Sequence, residues 1–376
     1  MHILHVVGAR PNFMKAAPVL RALAARDAVR QTLVHTGQHY DSTMSGVFFQ
    51  QLGMPEPDRN LEIGSGSHAH QTAAIMVAFE PVVLETKPDL VLVYGDVNST
   101  VAAALVCSKL RIPVGHVEAG LRSRDRSMPE EINRLLTDQI SDLLFTPSAD
   151  GDENLLREGI AREKIHRVGN VMIDTLVRLL PRAIECFPSN LPSPYALVTL
   201  HRPSNVDDLP WLRNLLATLS DLSAQLNIIF PVHPRTRERL TKLGTTKAHA
   251  ARLQLLEPLP YLEFLALQTR ARFVITDSGG IQEETTFLGV PCLTIRENTE
   301  RPITLTHGTN QLVGRDMQRL QEAAAEILRN DSVAAAPNPS RVPLWDGHAA
   351  ERIADVILQQ RSRAANHSLL RQSGGN

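Results

Sequence analysis

Cysteine is scarce and charge is balanced. Three cysteines, Cys107, Cys186 and Cys292, lie far apart, in an odd number and without metal-ligand spacing. That excludes a zinc ribbon or a disulfide framework and points to a reduced, cytosolic setting. The formal net charge is −1, so nothing draws the chain as a whole to nucleic acid or a membrane surface. Any anion binding must be local. No apolar run approaches the ~18 residues of a membrane span. The opening "MHILHVVGARPNFMK" has no basic leader before its short apolar run, and is expected to be a buried strand rather than a signal peptide. The common nucleotide fingerprints are missing as well. No G-x-x-x-x-G-K-[ST] occurs, and "GSGSHA" (64–69) lacks the third glycine of a dinucleotide loop and follows a loop, not a strand. A P-loop and a nicotinamide cofactor are therefore not expected. His68 and His70 form a lone HxH, which is weak as a metal site.

What is present is a rhythm. At 376 residues, 43% hydrophobic and 21% charged, the chain is expected to be globular and to form two domains. Apolar runs at 2–8, 31–37, 89–96, 112–118 and 142–148 read as strands. They lack period-2 alternation, so both faces are expected to be covered by helices. Helix-patterned segments lie between them, such as "STVAAALVCSKL". A second series follows at 195–202, 227–234, 253–260, 272–280 and 290–295. The stretch 181–194, with Pro181, Pro188, Pro192 and Pro194, reads as a linker. The expected class is α/β, with two Rossmann-like doubly wound domains, 1–180 and 195–345, facing across a cleft. The segment 346–360 is an amphipathic helix, and 364–376 is expected to be a frayed tail.

Ligands of open α/β sheets sit beyond the carboxyl ends of the strands. Those ends carry Gly8-Ala9-Arg10, Gly37-Gln38-His39, Gly95-Asp96, Glu118, His201-Arg202, His233 and Ser278-Gly279-Gly280. Arg10 opens a helix whose N-terminus favours an anion, and Lys15 could point back to it. The alternative is a plain turn with a solvated arginine. "TDSGGIQEE" (276–284) offers amides for a phosphate and, one turn later, carboxylates for ribose hydroxyls. A nucleotide would use both; a capped helix with solvated acids is the alternative. Arg301 is a further phosphate partner. Asp96, Glu118 and Glu130 bring acids to strand and helix ends, where burial tunes them for proton transfer, although Asp96 could instead cap the helix after it. His233 is equally readable as core, cap or ligand.

The motifs "GARPNFMKAAPV", "HTGQH", "VYGDVNST", "PVGHVEAGLRS", "MPEEINRLLTD", "TLHRPSNVDD", "PVHPRT", "TDSGGIQEE" and "ENTERP" run along nearly the whole chain. Together they resemble the non-hydrolysing UDP-N-acetylglucosamine 2-epimerase family. The resemblance implies a GT-B-like fold whose last helix packs back on the first domain. It implies a homodimer that supplies precursors for surface polysaccharide, with no metal and no redox cofactor. It implies that UDP-N-acetylglucosamine and UDP-N-acetylmannosamine are interconverted through a 2-acetamidoglucal. Asp96, Glu118 and Glu130 would be the acid/base groups, and His201 would assist the leaving diphosphate. Arg10, Lys15, Arg134, His233, Phe264, Ser278, Gly279, Gly280, Glu284 and Arg301 would contact substrate or UDP. "GARPNF" and "QHYD" (38–41) depart from the "GTRPE" and "QHR" of many bacterial members, in which a second substrate molecule binds as activator. They lean toward members acting on related sugars such as a diacetamido uronic acid. A hydrolysing epimerase, a glycosyltransferase and a non-catalytic sensor are the rival readings.

Overall fold

A computed structural model describes residues 1–27, 29–38, 49–244, 252–330 and 341–373; the side chains of Arg10 and of 363–373 lie outside the description. Contacts divide the chain into two units, Met1–Thr175 with Pro343–Asn376, and Leu176–Val342.

The first unit holds strands β1 (His2–Val7), β2 (Arg30–His35), β3 (Arg59–Asn60), β4 (Leu90–Tyr94), β5 (Val114–Val117), β6 (Leu143–Thr146) and β7 (Ile165–Arg167). They form a seven-stranded sheet in the order β3-β2-β1-β4-β5-β6-β7, with every pairing parallel. All five residues of β4 are buried, as the missing alternation predicts for a strand covered on both faces. Val91 and Val93 pack with Leu4, Val6 and Val34 of the neighbouring strands and with Phe79, Val83, Ala103 and Cys107 of the covering helices.

The second unit holds β8 (Tyr195–Thr199), β9 (Asn227–Pro231), β10 (Leu253–Leu256), β11 (Phe273–Thr276), β12 (Cys292–Thr294) and β13 (Asn310–Leu312). These form a six-stranded parallel sheet in the order β10-β9-β8-β11-β12-β13. Val198, Phe230 and Ile275 pack there against Leu212, Leu215, Leu219, Leu320 and Ala324.

Every expected run forms a strand, but each ends earlier than the apolar run suggests. The surplus residues form the turns at the carboxyl ends of the strands. The edge strands β3, β7 and β13 escape sequence reading because "RN", "IHR" and "NQL" are too short and polar to form a run. The expected linker does not begin at Pro181. That proline lies inside the helix Val171–Glu185, where Leu179 and Ala183, both buried, carry the packed face past it. The last helix runs from Ala349 to Ser373, through much of the stretch expected to fray. The first glycine after its start is Gly374, so nothing local stops it earlier. It packs on the helix Arg10–Ala24, and Asp174 caps its start by accepting from the amides of Ala349 (3.1 Å) and Ala350 (2.7 Å). Among the described residues no helix is long and apolar enough to cross a membrane.

In each sheet the strand order reverses direction at one place, between β1 and β4 in the first unit and between β8 and β11 in the second. Such switch points open a crevice at the carboxyl ends of the two strands.

Candidate active site

At the first switch point the turn after β1 is already filled by its own chain. The amides of Gly8 and Ala9 donate to Asn12 Oδ1 (3.0 and 3.2 Å), and Asn12 Nδ2 donates to the Tyr94 carbonyl (2.6 Å). The amides leading into the helix that Arg10 opens, whose N-terminus is expected to favour an anion, are therefore already bonded to a side chain. The Arg10 side chain and His39 lie outside the described residues, as does the rest of "QHYD" beyond Gln38. Lys15 does not point back to a phosphate. It is buried, and its ammonium is ion-paired with the equally buried Glu118.

Gly95 makes that pair possible. A Cβ there would stand 2.6 Å from Lys15 Nζ and 3.2 Å from Glu118 Oε2, and its φ is +62°. Glu118 itself sits at φ +74°, a left-handed conformation that costs a non-glycine residue of order 1–3 kcal/mol. The ion pair and the amide bonds of Glu118 and Ala119 to the Phe145 carbonyl (3.1 and 3.0 Å) hold it there.

Asp96 is not a helix cap. Val97 occupies the N-cap of the helix Asn98–Leu110, and the Asp96 carboxylate is clamped by the Arg134 guanidinium. Arg134, expected to contact substrate, is instead buried between Asp96 and Glu131. The two adjacent glutamates separate cleanly. Glu131 accepts from the Ser123 amide (2.9 Å), the Arg124 amide (2.8 Å) and Arg134 (2.7 Å). Burial works against its charge, but these donors outweigh it and hold the carboxyl below the ordinary range. Glu130 is half-buried, one helical turn before Asn133 and Arg134. Those two residues reach Asp96, so Glu130 shares the face that meets it.

At the second switch point His201 and Arg202 follow β8, and Asp277 follows β11. Asp277, which the sequence did not single out, organises the pair. Fully buried, it accepts from the His201 amide (3.1 Å), the Arg202 amide (2.9 Å) and Asn205 Nδ2 (3.2 Å). Its carboxylate lies 3.0 Å from His201 Nδ1. Burial would raise its pKa, but His201, the Arg202 amide and Asn205 outweigh that and lower it. The His201 ring, 40% exposed, thus turns Nε2 away from Asp277. His233 lies 5.7 Å from it, centroid to centroid, and caps the helix Pro234–Lys242 by accepting from the Arg235 amide (3.2 Å).

The helix Gly279–Leu288 begins with neither a side-chain cap nor an acid in its first turn, so its positive end is available to an anion. The Ser278 amide is spent on Thr276 Oγ1 (3.0 Å). A Cβ on Gly279 would lie 2.4 Å from Arg301 Nη1, so the glycine admits the guanidinium against the backbone. Arg301 pairs with Glu283 (2.9 Å) and with Glu300, which also binds Arg296 (2.7 Å) and lies 3.8 Å from Arg202. Glu300 is buried, yet these cations hold its carboxyl far below the usual range.

The glutamates of "IQEE" are not solvated. Glu283 and Glu284 are 1% and 2% exposed. Glu284 accepts from Tyr261 Oη (2.8 Å) and Gln268 Nε2 (2.6 Å), while burial pushes its pKa up. Half-buried Phe264 lies on the same helix, Tyr261–Arg270. Among the described residues no group of three or more His, Cys, Asp or Glu is placed to hold a metal; His68 lies against Asn98.

The sequence model of a family described as UDP-N-acetylglucosamine 2-epimerase matches residues 21–358. A UDP-N-acetylglucosamine 2-epimerase of Methanococcus maripaludis is 42% identical over 367 residues, covering 95% of this chain and 98% of its own. A UDP-2,3-diacetamido-2,3-dideoxy-D-glucuronate 2-epimerase of Pseudomonas aeruginosa is 44% identical over 333 residues, 87% of this chain and 92% of its own. The crystal structure of the Methanocaldococcus jannaschii UDP-GlcNAc 2-epimerase, in complex with UDP-GlcNAc and UDP, superposes with a TM-score of 0.85 at 41% identity, over 96% of this chain and 100% of that one.

Proposed function

Because the chain belongs to the UDP-N-acetylglucosamine 2-epimerase family, we propose that it inverts C2 of UDP-N-acetylglucosamine to give UDP-N-acetylmannosamine, without net hydrolysis. One observation carries the reading: the switch point of the first sheet presents carboxylates and that of the second an anion-ready turn, the two kinds of group the reaction needs.

The C2 proton has no adjacent carbonyl and is not acidic. It leaves only as the C1–O bond breaks and positive charge builds at C1, so stabilising the departing UDP is the main catalytic device. The Gly279 and Gly280 amides, Arg301 and His201 Nε2 are assigned to the diphosphate. The C1–O electrons pass to the β-phosphate while a carboxylate takes the C2 proton, leaving the C1–C2 double bond of a 2-acetamidoglucal. UDP then re-adds at C1, and C2 receives a proton on its other face. That requires two acid/base groups or a turned intermediate, and Asp96, Glu118 and Glu130 are the candidates. Glu284 is assigned to the ribose, and His233 and Phe264 to the nucleoside.

Proton NMR of UDP-N-acetylglucosamine with the protein in D2O tests the reading. Deuterium at C2 together with a UDP-N-acetylmannosamine signal is expected. Free N-acetylmannosamine as the main product would instead mean a hydrolysing enzyme. Identity to the Pseudomonas aeruginosa enzyme favours a second reading, 2-epimerisation of a diacetamido uronic acid nucleotide, and the same assay with that substrate decides it. We also infer a cytoplasmic homodimer. Free thiols at Cys107, Cys186 and Cys292 support the compartment. Exposed Val77 (74%) and Leu84 (55%), one heptad apart on the helix His68–Thr86, support a self-association face.

A further inference from the structure

Beneath the Asp96 turn lies a buried polar pair that the proposed chemistry does not use. His116, on β5, and Asp138, on the helix Pro129–Ile140, are both 0% exposed. His116 Nδ1 lies 2.6 Å from Asp138 Oδ1, and Nε2 lies 2.8 Å from the Gly95 carbonyl. We propose that His116 and Asp138 form a positioning dyad in which a buried imidazolium holds the Gly95 carbonyl and so aims the Asp96 carboxylate. The inference rests on the epimerase reading above.

Donor and acceptor chemistry gives the protonation. A carbonyl oxygen only accepts, so Nε2 carries a hydrogen. Asp138 already accepts from the Gly120 amide (3.1 Å) and pairs with Arg122 (2.7 Å). Both contacts fall on Oδ2, and the Arg122 charge beside it keeps the group a carboxylate, so Oδ1 only accepts and a second hydrogen sits on Nδ1. Although burial disfavours the charge on Asp138, His116 and Arg122 outweigh it and lower its pKa. Around this core Arg122 also pairs with Glu158 (2.6 Å), and Gly95 stands against Lys15 and Glu118 on its other side.

Geometry explains why the turn needs such a grip. Gly95 sits at φ +62° without a Cβ, so its own sterics do little to fix the peptide plane. Its amide is tied to the Val117 carbonyl (3.0 Å), and the Asp96 carbonyl to Asn133 Nδ2 (2.9 Å). The Gly95 carbonyl is held by His116. Losing that bond frees the peptide that sets the direction of Asp96. Proton transfer suffers from a displacement of about 1 Å by on the order of 10²-fold, while binding of the nucleotide, assigned to other residues, does not depend on it.

Two substitutions divide the ring. In His116→Asn the shorter amide still reaches Asp138 but not Gly95. In His116→Gln an N–H reaches Gly95. The expected result for His116→Asn is a fall in kcat and in C2 deuterium exchange of roughly 10²-fold, with KM and the UDP Kd changed by less than about twofold. His116→Gln is expected to recover most of that loss. Wild-type kcat in His116→Asn, or parallel loss of kcat and UDP affinity, overturns the proposal. So does failure of His116→Gln to recover activity when it folds and binds UDP normally. Nitrogen-15 NMR of the histidine rings in the unsubstituted protein at pH 7 needs no variant to fold well. An imidazolium signature for a ring inert to solvent exchange is expected, and a buried ring with a single protonated nitrogen overturns the proposal. If the wild-type protein exchanges no C2 proton of either substrate, the epimerase reading has failed, and the nitrogen spectrum still reports on the imidazolium alone.

Discussion

Lys15 and Glu118 lie 103 residues apart and form a buried ion pair across the face of Gly95. The pair joins the first helix to the end of β5. It also explains how a glutamate is held in a left-handed backbone conformation. Removing one partner leaves the other buried without this ion pair.

Lys15→Met is therefore expected to destabilise the protein by about 3 kcal/mol, the usual result of breaking a buried pair from one side. Lys15→Met with Glu118→Gln should regain a large part of that. Urea unfolding of the wild type and these two variants measures it, and an unchanged midpoint in Lys15→Met would show that the pair carries no net stability.

Asp96→Asn keeps the size of the side chain and can still accept from Arg134, so UDP binding is expected to persist. Turnover should fall by about 10²- to 10⁴-fold, the range for losing a general acid or base. Calorimetry with UDP and the D2O exchange assay report the two quantities separately. Retained turnover removes Asp96 from the acid/base set.

Gly279→Ala inserts a Cβ where Arg301 Nη1 would lie 2.4 Å away. The guanidinium has to withdraw from the turn. UDP affinity is expected to fall by at least about tenfold, roughly the value of one charge-assisted hydrogen bond. UDP affinity equal to wild type would place the diphosphate elsewhere.

Glu284→Gln separates stability from binding. Burial raises the folded pKa of Glu284, so the native state holds its proton more tightly than the unfolded chain. Stability from this group is present below about pH 4.3 and is lost as pH rises through the raised value. Glutamine removes the buried charge, so the variant is expected to be at least as stable as wild type at pH 7 and to lose that advantage at pH 4. If Glu284 serves the ribose, UDP affinity drops in the same variant. Lower stability at pH 7 would contradict the assignment of burial as the dominant effect.

Asp277→Asn has the opposite sign. Its folded pKa is lowered, so its contribution is present above about pH 3.9 and is lost as pH falls through the folded value. The variant should be clearly less stable than wild type at pH 7, with the gap closing in acid. A gap that is constant down to pH 3 would mean that shape, not charge, is what Asp277 supplies.

Much of the candidate site is legible in the sequence because its residues stand at the ends of apolar runs. His201, Asp96, Glu118 and the Ser278-Gly279-Gly280 turn are candidates on that ground. Asp277 carried the same signal as Asp96, an acid directly after a buried strand, and was passed over for the glycines beside it. Glu130 and Glu131 are adjacent and chemically identical, so only packing could assign Glu131 to Arg134 and leave Glu130 half-buried beside it. Lys15 reads as an anion contact because a cation just after a turn gives no sign of being already paired, and Arg134 is assigned to substrate only through the family resemblance.

The sequence by itself determined the α/β class, the two series of strands and the family, because runs without alternation can be buried only on both faces and the motifs span nearly the whole chain. Only the tertiary structure decided which strands became neighbours. Setting β4 beside β1 and β11 beside β8 depends on crossover handedness and on side-chain packing between distant segments. Periodicity carries no information about either. Those two adjacencies, with β5 beside β4, bring Lys15 to Glu118 and Asp277 to His201, and with them the charge balance at each switch point.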